Sequence, residues 1–218
     1  MTISSNTIQT LLKTLAKGPV FCSEMDFQLH LAWLMKENGF DVALEYDPRC
    51  FEGNASLDIM VWEPERVAVE LKYKTIPFET VVKGRPLRLK NHGAQDIGRY
   101  DFFRDVSRVE QIVASGAANK GFAVFLTNDP GYWRSGRDGT VAEMFRMYEG
   151  RTIKSGSLKW SELTGAGTMK GREKPISLIR DHVLGWNEYA SFDKKKNGVF
   201  RYLIVDVERE LSAPNTSL

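Results

Sequence analysis

Cysteine is scarce in this chain: among 218 residues only Cys22 and Cys50 carry a thiol. Two thiols are too few for a disulfide framework or a structural zinc cluster, so both are expected reduced, in a cytoplasmic compartment. His30, His92 and His182 are scattered, and none has the partner spacing of a Cys/His metal motif. No apolar run approaches the roughly 20 residues that cross a bilayer, and Met1-Thr2-Ile3-Ser4-Ser5 lacks the basic start of a secretory leader, so no membrane partner is expected. Neither sign of charge dominates. The net +2 neither announces nor excludes a nucleic-acid partner, because basic residues can be concentrated locally while acids balance the total. Without internal repeats, low-complexity stretches or a linker rich enough to divide the chain, residues 1–218 are expected to form one domain around one core.

What the chain does have is a pair of alternating segments around a short turn. In Ala55-Ser56-Leu57-Asp58-Ile59-Met60-Val61-Trp62, period-two alternation places Leu57, Ile59 and Val61 on one face and Ser56, Asp58 and Met60 on the other. After Glu63-Pro64-Glu65, the segment from Arg66 to Lys74 puts Val67, Val69, Leu71 and Tyr73 on one face. Ala68, Glu70, Lys72 and Lys74 take the other. A hairpin centred on Pro64 sets Asp58 opposite Glu70. Two carboxylates at a cross-strand spacing of roughly 5 Å repel, so the pairing calls for a compensating cation. Magnesium suits it, with manganese as a substitute, because a hard divalent ion prefers carboxylate oxygen and completes its shell with water and phosphate. The Leu71 carbonyl is a further candidate ligand. Lys72 beside such an ion would orient an attacking water and stabilise charge developing on a phosphate. The plainer alternative is a surface strand face on which Lys72 pairs with Glu70 or Asp58.

At these residues the chain resembles the PD-(D/E)XK nuclease superfamily, the restriction-endonuclease-like fold. Asp58 matches the first acidic position, and Glu70 and Lys72 match the E-x-K half of the motif. Leu57 stands where that family usually has proline, a position that supplies no ligand. The resemblance implies an α/β fold with a central mixed sheet flanked by helices, with C-terminal strands added. It also implies a magnesium-dependent phosphodiesterase acting on nucleic acid, DNA in the first instance. An acidic residue on the preceding helix often joins such sites. Ser23 is a candidate N-cap, with Phe27, Leu31 and Leu34 at helical spacing and a stop at Asn38-Gly39. Glu24, three residues before Phe27, is therefore a candidate ligand acting through water. Val42 to Tyr46 reads as the first strand, with Glu45 as a possible outer-shell carboxylate.

Thr75 to Gly93 reads as an inserted basic hairpin, with Lys83-Gly84-Arg85-Pro86 at its tip. Lys74, Lys83, Arg85, Arg88 and Lys90 are its candidate phosphate contacts, against the alternative of a solvated surface hairpin. A long helix from Gln95 to about Val113 carries Phe102, Val106, Val109 and Val113 as its apolar stripe. Some recombination-type relatives carry Q-x-x-x-Y here. The interval from Gln95 to Tyr100 is one residue longer, and Gln95 is retained as a substrate-positioning candidate, with His92 close before it. The strand Phe122 to Leu126 follows, and Phe200 to Val207 reads as a last strand closing the sheet. Trp133, Trp160 and Trp186 promise packing in preference to base stacking. The Gly-rich stretch 165–173, with Lys170 and Arg172, reads as a surface loop. A noncatalytic nucleic-acid-binding or assembly module, and an enzyme for another phosphorylated substrate, are the competing functions.

Overall fold

The computed structural model describes residues 2–18, 20–50, 56–82, 84–192 and 195–209, the side chains of Val82 and Arg85 excepted. Helix α1 (Ser5–Leu15) starts with a reciprocal capping box between Ser4 and Thr7. Helix α2 (Glu24–Glu37) is capped by the Ser23 side chain, which accepts from Asp26 N–H, and it stops at Asn38. Gly39 follows with φ at 86°, a left-handed conformation that glycine adopts without steric cost. Both ends lie where the spacing predicts.

Three strands follow: β1 (Asp41–Tyr46), β2 (Leu57–Glu63) and β3 (Val67–Lys74). A separate hairpin, β4 (Phe78–Val82) and β5 (Arg85–Leu89), precedes the long helix α3 (Gln95–Ala114) and strand β6 (Lys120–Thr127). Beyond these lie β7 (Thr152–Ile153), β8 (Gly156–Leu158), the single turn α4 (Ala166–Met169), β9 (Ile176–Leu178) and β10 (His182–Val183). The last two strands are β11 (Trp186–Ser191) and β12 (Val199–Glu208). The central sheet runs β1-β2-β3-β6-β12-β11, and β3 and β6 are parallel while every other neighbouring pair is antiparallel. The α/β class and the mixed sheet therefore agree with the expectation. The closing strand does not. Strand β12 lies inside the sheet and β11 forms the edge; β11 escapes the sequence pattern because its register irregularity between Glu188 and Ala190 breaks the alternation by which a strand is recognised.

Period two distributes the sheet between two cores. Ile59, Val61, Val67, Val69, Leu71 and Tyr73 pack toward α1 and α2. Ala123, Phe125, Leu203, Val205 and Val207 pack with Phe102, Val106, Val109 and Val113 of α3. Trp133, Trp160 and Trp186 are buried in that second core, the packing role expected of them. Leu57 departs from the predicted face. It joins Met60, Ala68 and Ile112 instead of Ile59. Its cross-strand partner is Tyr46, and the residue before Tyr46, Glu45, has φ at 50°, so the regular pleat is interrupted there.

Helix α3 connects two parallel neighbours and must lie close on both. A Cβ on Gly121, in β6, would stand 2.4 Å from Val109 Cγ1 of α3 and 3.1 Å from the Ala68 carbonyl oxygen of β3. Replacing Gly121 by Ala is therefore expected to cost about 1–3 kcal/mol through overpacking. Urea unfolding checks this, and an unchanged midpoint would contradict so close a seating of the helix.

Candidate active site

The ladder between β2 and β3 runs Val61–Val67, Met60–Ala68, Ile59–Val69 and goes no further. Beyond Ile59, carboxylates take the outward N–H groups of β3. Asp58 Oδ2 accepts from Leu71 N at 2.6 Å, and Glu24 Oε2, from the first turn of α2, accepts from Tyr73 N at 2.6 Å. Asp58 thus approaches Glu70 as the hairpin geometry predicts, although the final strand pair is replaced by a side-chain bond. Asp58 stands close enough to Glu70 for its charge to disfavour ionisation of the Glu70 carboxyl.

Glu70 and Lys72 point toward α3, and two residues of that helix meet them. Asp105 Oδ2 lies 3.0 Å from Lys72 Nζ, and Arg108 Nη2 lies 3.0 Å from Glu70 Oε1. Glu24 Oε1 is 3.5 Å from Lys72 Nζ. Glu70 and Asp105 are buried, and the Lys72 side chain is only 14% exposed, which excludes the solvated strand face. Asp105 and Arg108 were not among the residues singled out from sequence. Their signal was present: Asp105 is three residues after Phe102 and four before Val109, a charge set within the apolar stripe.

Burial governs the electrostatics. It pushes the Asp58 carboxyl up to about 6, against the lowering effect of the Leu71 hydrogen bond, while Asp105 adds to the rise. Glu70 is raised well above the ordinary carboxyl range by burial and then by Asp105 and Asp58, with Arg108 opposing. Burial raises Asp105 despite Lys72 and Arg108 beside it. Burial alone would lower the Lys72 ammonium, but Asp105 and Glu24 together reverse the sign and hold it charged. Glu24, Asp58, Glu70 and Asp105 stand against Lys72 and Arg108, so full ionisation would leave two negative charges in excess.

Gln28 was also missed from sequence. Buried on α2, it donates from Nε2 to Glu45 Oε1 and to the Asp58 carbonyl, both at 2.8 Å. Glu45 Oε2 accepts from the Ser56 hydroxyl at 2.7 Å, and these two hydrogen bonds lower the Glu45 carboxyl. Glu45 therefore fastens β1 to α2 and to the approach of β2. It serves Asp58 from behind.

The remaining candidates lie elsewhere. Gln95 donates to Asp129 Oδ2 at 2.8 Å and packs on Gly131, and the ten residues of helix between it and Asp105 span roughly 15 Å. The structure does not bring Gln95 to the carboxylates. His92 Nδ1 accepts from Thr75 N at 3.0 Å, a loop-fixing bond. The hairpin forms as expected, but its anchors Phe78 and Leu89 pack into the α1–α2 core, on the face of the sheet opposite α3. Arg88 is paired with Glu79 of the same hairpin at 2.9 Å, while Lys90 is exposed and Lys74 half-buried. Lys83 lies outside the described residues, as does the Arg85 side chain. In the stretch 165–173, Arg172 is held by a bidentate pair to Asp101, at 2.8 and 2.9 Å.

Among the described residues, no group of three His, Cys, Asp or Glu side chains is arranged to hold a metal ion. The carboxylate oxygens are turned instead to Leu71 N, Tyr73 N, Lys72 and Arg108. Carboxylate and carbonyl oxygens are nevertheless the donor type that a hard divalent ion takes. Comparison with family models, with curated proteins and with solved structures gives no match for this chain. No helix among the described residues is long and apolar enough to cross a membrane.

The raised Asp58 carboxyl sets a sign for stability. Its folded form favours the proton relative to the unfolded chain, so its contribution is most favourable below 3.8 and is lost as pH rises through about 6. The loss is roughly 3 kcal/mol when complete. In metal-free buffer the protein should therefore unfold at lower urea at pH 8 than at pH 5, and Asp58→Asn should reduce that difference, with Glu70 and Asp105, raised in the same direction, keeping the rest. The same pH dependence in wild type and variant would contradict the burial of this charge.

Proposed function

We propose that this protein is a divalent-metal-dependent nuclease that hydrolyses phosphodiester bonds, with DNA as the expected substrate. The observation that carries the reading is Asp58 bonded to the Leu71 N–H, beside Glu70, with Lys72 two residues beyond Glu70 on the same face of β3. The order helix, three antiparallel strands, helix, parallel strand also supports a restriction-endonuclease-like core.

Asp58 and Glu70, with the Leu71 carbonyl, would hold the ion directly, and Glu24 would act through water. Bound there, magnesium supplies Lewis-acid polarisation of phosphate oxygen and a more acidic water. Lys72 keeps its charge because Asp105 and Glu24 anchor it, so it offers a fixed ammonium to the negative charge that grows on the phosphate. Gln28 holds the Asp58 backbone, and the Leu71 N–H fixes one carboxylate oxygen of Asp58. These bonds preorganise the reacting centre before substrate arrives. Glu70 must exchange Arg108 for the ion. That same ion pair is the one observation favouring a noncatalytic nucleic-acid-binding module, in which Arg108 would stay on Glu70 permanently.

Because Glu70 is buried and Asp58 and Lys72 are partly buried, alanine would leave charged partners stranded, and isosteric replacements make the cleaner test. Asp58→Asn, Glu70→Gln and Lys72→Met should each lower magnesium-dependent cleavage of DNA by about 100-fold or more. Circular dichroism confirms folding, and cleavage is measured with magnesium and with EDTA. Wild-type rates in folded Glu70→Gln, or no cleavage by wild type, would sink the assignment.

A further inference from the structure

Helix α3 carries a polar stripe that is exposed at Arg104 and Gln111 and half-buried at Arg108. Arg104, Ser107, Arg108 and Gln111 recur at helical spacing and form one wall of a groove of about 460 Å³. The opposite wall is the strap 171–177, including Lys174 and Ser177. From Arg104 to Gln111 the stripe is about 10 Å long, which matches roughly three nucleotides at the 3.4 Å rise of one strand.

The groove is built into the fold. Its far wall is fastened to α3 by contacts spanning some 70 positions of sequence. Tyr100 Oη donates to the Lys174 carbonyl at 2.7 Å, and Ser107 Oγ donates to the Ser177 carbonyl at 2.7 Å. Buried Glu110 accepts from Ile179 N at 2.7 Å and from Arg180 N at 3.0 Å, and the Asp101–Arg172 pair holds the strap before Lys174. A wall so pinned keeps its shape without a ligand.

Its charge and its position agree. Arg104, Arg108 and Lys174 line the groove with Glu173, whose carboxylate accepts from Gly171 N, while Arg104 also stands 3.4 Å from Asp101. Arg108 belongs to both places: it lines the groove and stands 3.0 Å from Glu70. The hairpin lacks that continuity, since its apolar anchors lie on the other face of the sheet. We infer that the groove between α3 and the strap 171–177 binds the phosphodiester backbone of the nucleic acid and leads it past Arg108 to the carboxylates. This rests on the nuclease reading for what happens at the groove's end, and on the groove's own geometry for binding.

The test separates the two. Labelled oligodeoxynucleotide, as single strand and as duplex, is titrated in EDTA across a salt series against wild type, Arg104→Ala/Lys174→Ala, and the control Lys13→Ala/Lys36→Ala. The control removes the same charge from exposed positions on α1 and α2. The groove variant should bind at least about tenfold more weakly, and its log–log salt slope should be shallower by about 1.4 for single strands or 1.8 for duplex. The control should bind as wild type does. The form of DNA that shows the effect is the form the groove admits. A groove variant no weaker than the control overturns the groove, and the nuclease reading survives if wild type cleaves with magnesium. Groove-dependent binding by a wild type that does not cleave supports the groove and removes the nuclease.

Discussion

Strands β2 and β3 part after Ile59–Val69, and the rest of the site depends on that divergence. A strand whose ladder ends leaves backbone N–H groups to be satisfied, and buried donors without partners are costly. Here carboxylates satisfy them, Asp58 at Leu71 and Glu24 at Tyr73. Backbone geometry thus draws two acids to one edge of β3, while period two places Glu70 and Lys72 on the adjoining face. The charge conflict that results is a consequence of how the sheet opens.

Helix α3 answers that conflict from above. Its seating over β3, tight enough to require Gly121 beneath Val109, brings Asp105 to Lys72 and Arg108 to Glu70. A buried lysine needs an anion within reach to stay charged, and Asp105 supplies it. Arg108 has a different place: it partly neutralises Glu70 yet opens onto a polar groove. One guanidinium therefore links buried Glu70 to the groove proposed to bind a phosphodiester backbone.

The elements built by local rules were legible. Ser23 and Asn38-Gly39 mark α2, alternation marks β2 and β3, and the apolar stripe marks α3. The approach of Asp58 to Glu70 followed from a turn at Pro64 and a period of two. What was not legible depends on how distant elements dock. Asp105 stands out as a charge within the apolar stripe, but what it and Arg108 face depends on α3 lying across β3, and the place of Gln28 depends on α2 lying behind Asp58. Gln95 was misjudged for the same reason, because membership of the right helix does not bring its first turn to the carboxylates. Leu57 changed face because Glu45, in the neighbouring strand, takes a left-handed backbone that no hydrophobic pattern reports.

Metal binding between Asp58 and Glu70 requires Glu70 to give up Arg108. A crystal structure of the wild-type protein soaked in manganese, with anomalous data, addresses that directly. It should show one ion between the Asp58 and Glu70 carboxylates, with oxygen ligands at about 2.1–2.2 Å and Arg108 withdrawn from Glu70. Manganese bound only elsewhere, or Arg108 still paired to Glu70 under saturating metal, would contradict it.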